Sequence, residues 1–573
     1  MRVYKAPAGD IDIPPVDILS LLFDDNSGQA REATKIHVDA AHPINSITKA
    51  EARTLTKRIA YIFRHRYGIG ASGPGRDVVL CSLYGSPLAP VIFYGVVAAG
   101  GIYCGLSTKA TVGEVSAQAS SSRASLLVCS SECAGRMCAA AGQSGITDDR
   151  ILVSDSSQPG AWSLSPAATA ENLLSGSETL DWTTITDTSA LDTTTICLLY
   201  SSGTTGLPKG VKISHQSLVA STVCTMQPSK EYQEKHPGFS FDTVAHLPMS
   251  NIAGIGLYSV NPFYMNGTTH STDKKYWMKK YNFDEFIDIH RRFNPAYQFS
   301  VPPIWLQVAK SDKVTNHFDG LQVASTRSAP IGFDTIKEIR GKLGKGKADI
   351  YQTWGITEAT GVVTVHPWEA FVKDGTWSVG QLCPNVTLRI LDESDNDVPE
   401  GEPGEMLIGG PILAQGYLNR PDADKEAFGN PSGWYRTGDV GVCKDGLIWI
   451  VDRKKELIKY KANQVAPAEL EALLTSHPQL ADAAVIGVWD EERQTEIPRA
   501  YVVRRDLQPG SLSDANAISG SDVADFVKSK VSSYKQLRGV VVFIEQIPKS
   551  ASGKVLRKDL REMAKHESLK PKL

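Results

Sequence analysis

Over roughly the first two-thirds of the chain, short apolar runs alternate with stretches of helical spacing. Val78 to Tyr84 is almost wholly apolar, Gly85-Ser86-Pro87 reads as a turn, and a second apolar stretch runs on into Gly100-Gly101. The pattern predicts a buried strand followed by a buried helix. Ser125 to Cys129 predicts another strand, preceded by an Ala/Ser-rich helix near Thr111 to Ser122. Short buried strands separated by helices imply crossover units and largely parallel sheets. No charge occurs between Val78 and Thr108, a length sufficient to span a bilayer. Ser82, Gly85, Ser86, Pro87, Pro90 and Gly95 interrupt it, which favours the core of a soluble α/β protein. Residues 154–178, rich in Ser, Ala and Gly, predict a surface excursion.

After about residue 375 the pattern changes. Leu388 to Leu391 and Glu405 to Ile408 are short strands around an acidic loop, Asp392 to Gly404. Asp445-Gly446 is a strong hairpin signal between Val440 to Val442 and Leu447 to Val451. Beyond the charged run Asp452-Arg453-Lys454-Lys455-Glu456, Pro467 to Leu474 predicts a helix, Ala483 to Val488 a strand and Asp522 to Val531 a helix. The expected architecture is α/β. A large N-terminal domain of crossover α/β sheets covers 1–454, with a small β-barrel-like subdomain over about 375–454. A smaller α+β domain follows over 455–573.

Composition narrows the function classes more than it selects one. With 573 residues, 42% hydrophobic and 21% charged, the chain reads as a globular protein of several domains. A formal net charge of −3 carries no polyanion signal. Pro548 to Leu573 is locally basic, with eight Lys/Arg against three Asp/Glu, but no aromatics interleave with it as a nucleic-acid surface would require. Nine cysteines at irregular spacing offer no C-x-x-C pair, so they read as reduced core fillers. The N-terminus has no apolar secretory core.

The most informative stretch is Ser201-Ser202-Gly203-Thr204-Thr205-Gly206-Leu207-Pro208-Lys209, entered directly from the apolar strand Thr195 to Leu199. Glycines let the backbone curl so that several N–H groups converge on one anion. The Ser and Thr hydroxyls add donors, and Lys209 adds a positive charge suited to phosphate. It is not a Walker A loop, because no Gly-Lys-[Ser/Thr] follows at the required spacing.

This loop resembles the signature of the adenylate-forming superfamily, which includes acyl- and aryl-CoA ligases, and the likeness is greatest to coumarate–CoA ligase-like members. Val301-Pro302-Pro303-Ile304, Gly355-Ile356-Thr357-Glu358, Tyr435-Arg436-Thr437-Gly438-Asp439, Asp452-Arg453 through Lys459-Tyr460-Lys461, and Pro548 through Ser552-Gly553-Lys554 follow in family order. The resemblance implies ATP-dependent activation of a carboxylic acid to acyl-AMP, then acyl transfer to coenzyme A. Joining a carboxylate to a phosphate brings two anions together, so a dry site must supply cations. The resemblance assigns Mg²⁺ to Glu358, an α-phosphate contact to Thr357, and the catalytic ammonium to Lys554. It gives adenine an indole face at Trp354 and a second wall at Ser328-Ala329-Pro330, and gives the ribose hydroxyls Asp439 and Arg453. Lys455 takes the hinge position, about which a mobile C-terminal domain alternates between presenting Lys554 and presenting the Lys459 to Val465 loop. Lys459 is then the residue expected at thioester formation.

The implied acid pocket comprises Asn251, Ile252, Ala253, Ser328, Gly355, Ile356 and Val362. Few charges fall in this set, so the acid is expected to have an apolar tail. Six positions in four places depart from the family pattern. Ser250-Asn251 stand where many relatives have an aromatic–His pair, Ala253 replaces a bulky aromatic, Trp354 replaces tyrosine, and Ala462-Asn463 replace Gly-aromatic. The alternative readings are an adenylating enzyme that loads a separate carrier protein, and a non-catalytic ATP-binding scaffold. The C-terminal Lys572-Leu573 matches a peroxisomal address only in part, since Pro571 stands where serine is usual. The expected location is the cytoplasm, with the peroxisome second.

Overall fold

The computed structural model describes residues 1–24, 30–156, 161–169, 171–201, 208–265, 274–329, 331–368, 378–429, 432–461, 463–505, 518–550 and 553–568. Its largest sheet has seven strands, in the order Lys209–Ser214, Thr195–Ser201, Ile102–Gly105, Val78–Ser82, Ala124–Ser130, Ile151–Asp155 and Ser163–Pro166. The interior pairs are parallel and both edge pairs antiparallel. The uncharged stretch is accounted for by burial on every side. All five residues of Val78–Ser82 and all eleven of the helix Leu88–Ala98 are buried. Gly95 lets that helix lie directly on the helix Lys49–Tyr67, since a Cβ there would meet the Ile59 side chain at 2.4 Å. Thr48 and Glu51 form a capping box that starts Lys49–Tyr67, and Gly68, at φ 74°, ends it.

A four-stranded sheet orders Thr243–Ala245, Lys275–Trp277, Lys35–Asp39 and Ser46–Thr48. A three-stranded parallel sheet of Tyr297–Ser300, Val323–Thr326 and Asp349–Gln352 carries the centre of the site on its C-terminal edge. The β-rich region is a five-stranded antiparallel sheet of Tyr4–Lys5, Thr387–Leu391, Gly404–Gly409, Tyr435–Lys444 and Leu447–Arg453. Its recruitment of Tyr4–Lys5 could not be read from two residues. The Asp445-Gly446 turn is a hairpin with both residues at positive φ, 51° and 76°. Residues 163–166 correct one expectation: part of the Ser-rich excursion returns as an edge strand against Ile151–Asp155, its alternation too weak to be seen.

Residues beyond Glu456 carry two apolar clusters of their own. They surround a sheet of Leu480–Asp490, Thr495–Arg504 and Val541–Phe543, with helices Pro467–Thr475, Gly520–Lys528 and Arg557–Ser568. All nine cysteines are free, and burial pushes the Cys104 and Cys129 thiols up to about 12. Among the described residues no helix is long and apolar enough to cross a membrane. The C-terminal residues 569–573, which carry the partial targeting match, lie outside the described residues.

The first two sheets meet at Gly85. Its N–H donates to the Lys279 carbonyl at 3.1 Å, and a Cβ would sit 2.0 Å from the Met278 carbonyl oxygen. Gly85→Ala is therefore expected to cost about 1–3 kcal/mol, the range for an overpacked core. A lowered urea midpoint would register it, and an unchanged midpoint would show that the two sheets separate freely.

Candidate active site

The site grows from the C-terminal ends of two parallel strands, where open α/β sheets present loops to ligands. After Val323–Thr326 the chain places Arg327 and Ser328, and Ser328 is held at φ 88°, a strained value for a residue with a side chain. The Gln352 side chain supports this turn by accepting the Ile331 N–H at 2.9 Å. After Asp349–Gln352, Gly355–Ile356 pairs with Gly361–Val362 as a tight ribbon. Gly355 must be glycine, since a Cβ would lie 2.0 Å from the Gly361 carbonyl oxygen. At the tip, one 3₁₀ turn, Thr357–Ala359, projects Thr357 and Glu358.

Glu358 is almost fully buried, 9% exposed. Its Oε1 accepts from the Ser201 hydroxyl at 3.0 Å and from the Tyr417 hydroxyl at 3.1 Å. Among the described residues no donor reaches Oε2. Ser201 ends one strand of a hairpin and faces Lys209, the first residue of the other, in register. The Lys209 ammonium lies 4.8 Å from the centre of the Tyr417 ring. The two ends of the expected phosphate loop are thus set beside Glu358. Ser202, Gly203, Thr204, Thr205 and Gly206 lie outside the described residues, as do Pro330 and Ala462.

Asp439 is buried and stands opposite Arg453 in the antiparallel hairpin. The Arg453 Nε lies 3.1 Å from Oδ1, and the Trp354 indole N–H donates to Oδ2 at 2.9 Å. Both carboxylate oxygens are therefore oriented. Trp354 is 6% exposed and packed in the core of the β-rich region, so it fixes Asp439 as well as forming a wall. With Ala329, Asp439, Arg453 and Lys554 it lines a cavity of about 410 Å³.

Lys554 arrives on a tight turn. Ser550 N–H donates to the Lys554 carbonyl at 2.8 Å, and Gly553 N–H to the Ser550 carbonyl at 2.9 Å. Gly553, at φ 80°, lets the turn sit against Pro303 in the Val301-Pro302-Pro303 segment. Burial pulls the Lys554 ammonium below the usual lysine range, and nearby Arg453 adds to this, while Asp439 and Glu358 oppose it. Ser201, Lys209, Thr357, Glu358, Arg453, Lys455 and Lys554 all line one cleft of about 350 Å³. Lys459 does not reach it: it is exposed on Ile458–Tyr460, its N–H bonded to Glu496 at 2.7 Å.

The other end of the cleft is lined by Asn251, Ile252, Ala253, Ser328, Gly355 and Ile356. The Asn251 Oδ1 accepts the Gly254 N–H at 3.0 Å, which starts the wide π-helical turns Gly254–Val260. Ile252 and Ala253 also line a deeper cavity of about 90 Å³, where they meet Val362, Phe299 and Arg327. Tyr417, Phe299 and Arg327 escaped the sequence reading. Arg327 alone left a signal there, as the residue directly before Ser328. On the far side of Arg453, Asp452 Oδ2 accepts the Ala468 N–H at 3.0 Å.

Two family models match the chain: AMP-binding enzyme over residues 23–418, and AMP-binding enzyme C-terminal domain over 469–554. The chain is 43% identical to a provisionally named acyl-coenzyme A synthetase of Emericella nidulans, over 98% of both chains. It is 36% identical to a 4-coumarate–CoA ligase of Nicotiana tabacum over 64% of this chain and 65% of that one. Its fold is that of ATP-bound MatB from Rhodopseudomonas palustris, with a TM-score of 0.76 and 24% identity over 96% of this chain and 99% of that one.

Trp354→Phe removes the indole donor while keeping a ring in the core. Asp439 then loses one of its two anchors, so ATP affinity measured by calorimetry should fall about tenfold, as for a hydrogen bond to a charged group. Unchanged affinity would mean that Arg453 alone orients the carboxylate.

Proposed function

Because the chain belongs to the AMP-binding enzyme family, we propose that it activates a small carboxylic acid with ATP and passes the acyl group to coenzyme A. One observation carries this reading: the serine that opens the phosphate loop and Lys554, from far apart in sequence, line the same cleft. In the first half-reaction the acid's carboxylate oxygen bonds to the α-phosphorus and pyrophosphate leaves. In the second, the thiolate sulfur bonds to the acyl carbon and AMP leaves.

The chain's own groups suit the first step. Lys554 supplies positive charge between the acid and the α-phosphate, where two anions must approach. Thr357 offers a hydroxyl to the same phosphate, and Lys209 stands at the β- and γ-phosphate end. Asp439, oriented by Trp354 and Arg453, accepts from ribose hydroxyls. Adenine lies between the Trp354 indole and the Ser328-Ala329 wall, which line one cavity. A divalent cation fits Glu358, whose Oε2 meets no donor among the described residues while Oε1 is held by two hydroxyls. Mg²⁺ there would neutralise phosphate charge as pyrophosphate departs.

The second step needs Lys554 out of the way. We place the domain boundary at Lys455, with residues 1–454 as one body and 455–573 as the other. Separate apolar clusters beyond Glu456 support it. Rotation about Lys455 withdraws Lys554 and brings in the hairpin Ile458–Tyr460 with Asn463–Val465, where Lys459 now stands exposed. The acid's body lies among the apolar side chains of Ile252, Ala253, Ile356 and Val362.

Lys554→Ala should lower acid-dependent ATP–pyrophosphate exchange by about 10²–10³-fold, as for loss of a group that stabilises developing charge. Transfer to coenzyme A from preformed acyl-AMP should stay within a few-fold. Equal loss of both half-reactions would refute the division of labour. Adenylation should also fall as pH rises through the depressed Lys554 pKa, below the usual lysine range, because only the charged form acts. Lys554→Arg should move that alkaline limb upward, whereas a limb that stays put belongs to another group.

A further inference from the structure

Arg327 enters the site directly after the strand Val323–Thr326 and lines both the cleft and the deeper cavity behind it. Its guanidinium carbon lies 4.9 Å from the centre of the Phe299 ring. Among the described residues no carboxylate pairs with it and no acceptor takes any of its N–H groups. Three other inward-facing arginines have a carboxylate partner: Arg53 with Glu32 at 2.7 Å, Arg389 with Asp397 at 2.9 Å, and Arg557 with Glu471 at 2.7 Å. Burial pulls the Arg327 guanidinium below its ordinary value. The groups that oppose this are two phenols and a thiol, Tyr297, Cys383 and Tyr258. The Tyr297 hydroxyl is already engaged with Ser325 at 2.6 Å.

Arg327 is half-buried and, among the described residues, unpaired, and its guanidinium presents to the cleft and cavity a fork that matches a carboxylate. Among the described residues no group of the cavity wall accepts from it: the Ser221 and Thr225 hydroxyls are directed at backbone carbonyls at 2.7 Å, and Leu218, Met226, Val362 and Trp368 add apolar surface. The acid's reacting carboxylate is committed to the α-phosphate beside Lys554. A simple monocarboxylic acid would therefore bury Arg327 further and leave it unmatched.

We infer that the acid carries a second carboxylate, which Arg327 holds while the first is activated. The inference rests on the acyl-ligase reading and names its substrate class: dicarboxylic acids with a short apolar body.

The test is ATP–pyrophosphate exchange by the full chain, with each dicarboxylic acid paired against the monocarboxylic acid of equal carbon number and against its own monomethyl ester. The diacid should exceed both partners in kcat/KM by on the order of 10- to 100-fold, the value of a charge-assisted hydrogen-bonded pair. Arg327→Met should collapse that ratio to near one, and Arg327→Lys should retain part of it. If Arg327→Met does not fold, the comparison within the native chain decides alone. Exchange as fast with monoacids would overturn the inference and leave the ligase reading standing. Equal loss of both acid classes in Arg327→Met would also overturn it, by assigning the arginine to the reacting carboxylate. Exchange with no acid of either class would overturn the ligase reading and this inference together.

Discussion

Glu358 is a buried carboxylate, and a buried carboxylate must be compensated from whatever surrounds it. Here the compensation comes from pieces distant in sequence. The Ser201 hydroxyl belongs to the seven-stranded sheet, and the Tyr417 hydroxyl to the segment leaving the β-rich region. The glutamate itself rides on the ribbon that follows the three-stranded sheet. Each of the three bodies is thereby registered against the others at one atom, Oε1. The cleft exists where they meet, and its depth and polarity follow from the need to satisfy that one group.

The remaining charges are set around this point with an excess of cations. Lys209, Arg327, Arg453, Lys454 and Lys554 line the cleft. Arg453 is matched by Asp439, and Lys454 by Glu405 at 2.9 Å. Repulsion within such a set is tolerable when a polyanion is bound, and the Lys554 pKa, lowered first by burial, is lowered further by Arg453. The same logic separates Arg327 from the others. It is half-buried and lines both the cleft and the apolar cavity behind it, with no protein counter-charge among the described residues.

Much of this could be read from the chain because function here is written in local segments. Strand Val78–Ser82, helix Leu88–Ala98, helix Pro467–Thr475 and the Asp445-Gly446 hairpin follow from apolar runs and turn chemistry. The motifs that converge on the cleft were visible because glycines and charged residues keep short fixed spacings. Long-range pairing was not visible. Tyr4–Lys5 joins a sheet through two residues, and Ser163–Pro166 pairs despite a bland composition. Trp354 presented an indole face on paper, but the partner of its N–H, Asp439, is 85 residues away. Arg327 drew no reading from the sequence, because the absence of a counter-charge is a property of three dimensions.

The bond from Ala468 N–H to Asp452 has a consequence for timing. A helix leaves its first N–H groups without intrahelical acceptors, and Pro467–Thr475 has no side chain of its own to cover them. It borrows a cap from across the hinge. On the proposed rotation that cap is forfeited, at about 1 kcal/mol by the usual worth of such a bond. On that reading the pose that presents Lys554 is favoured by about that much before any ligand binds. A small loan between two domains would then tilt the order of events toward activating the acid before the thiol is admitted.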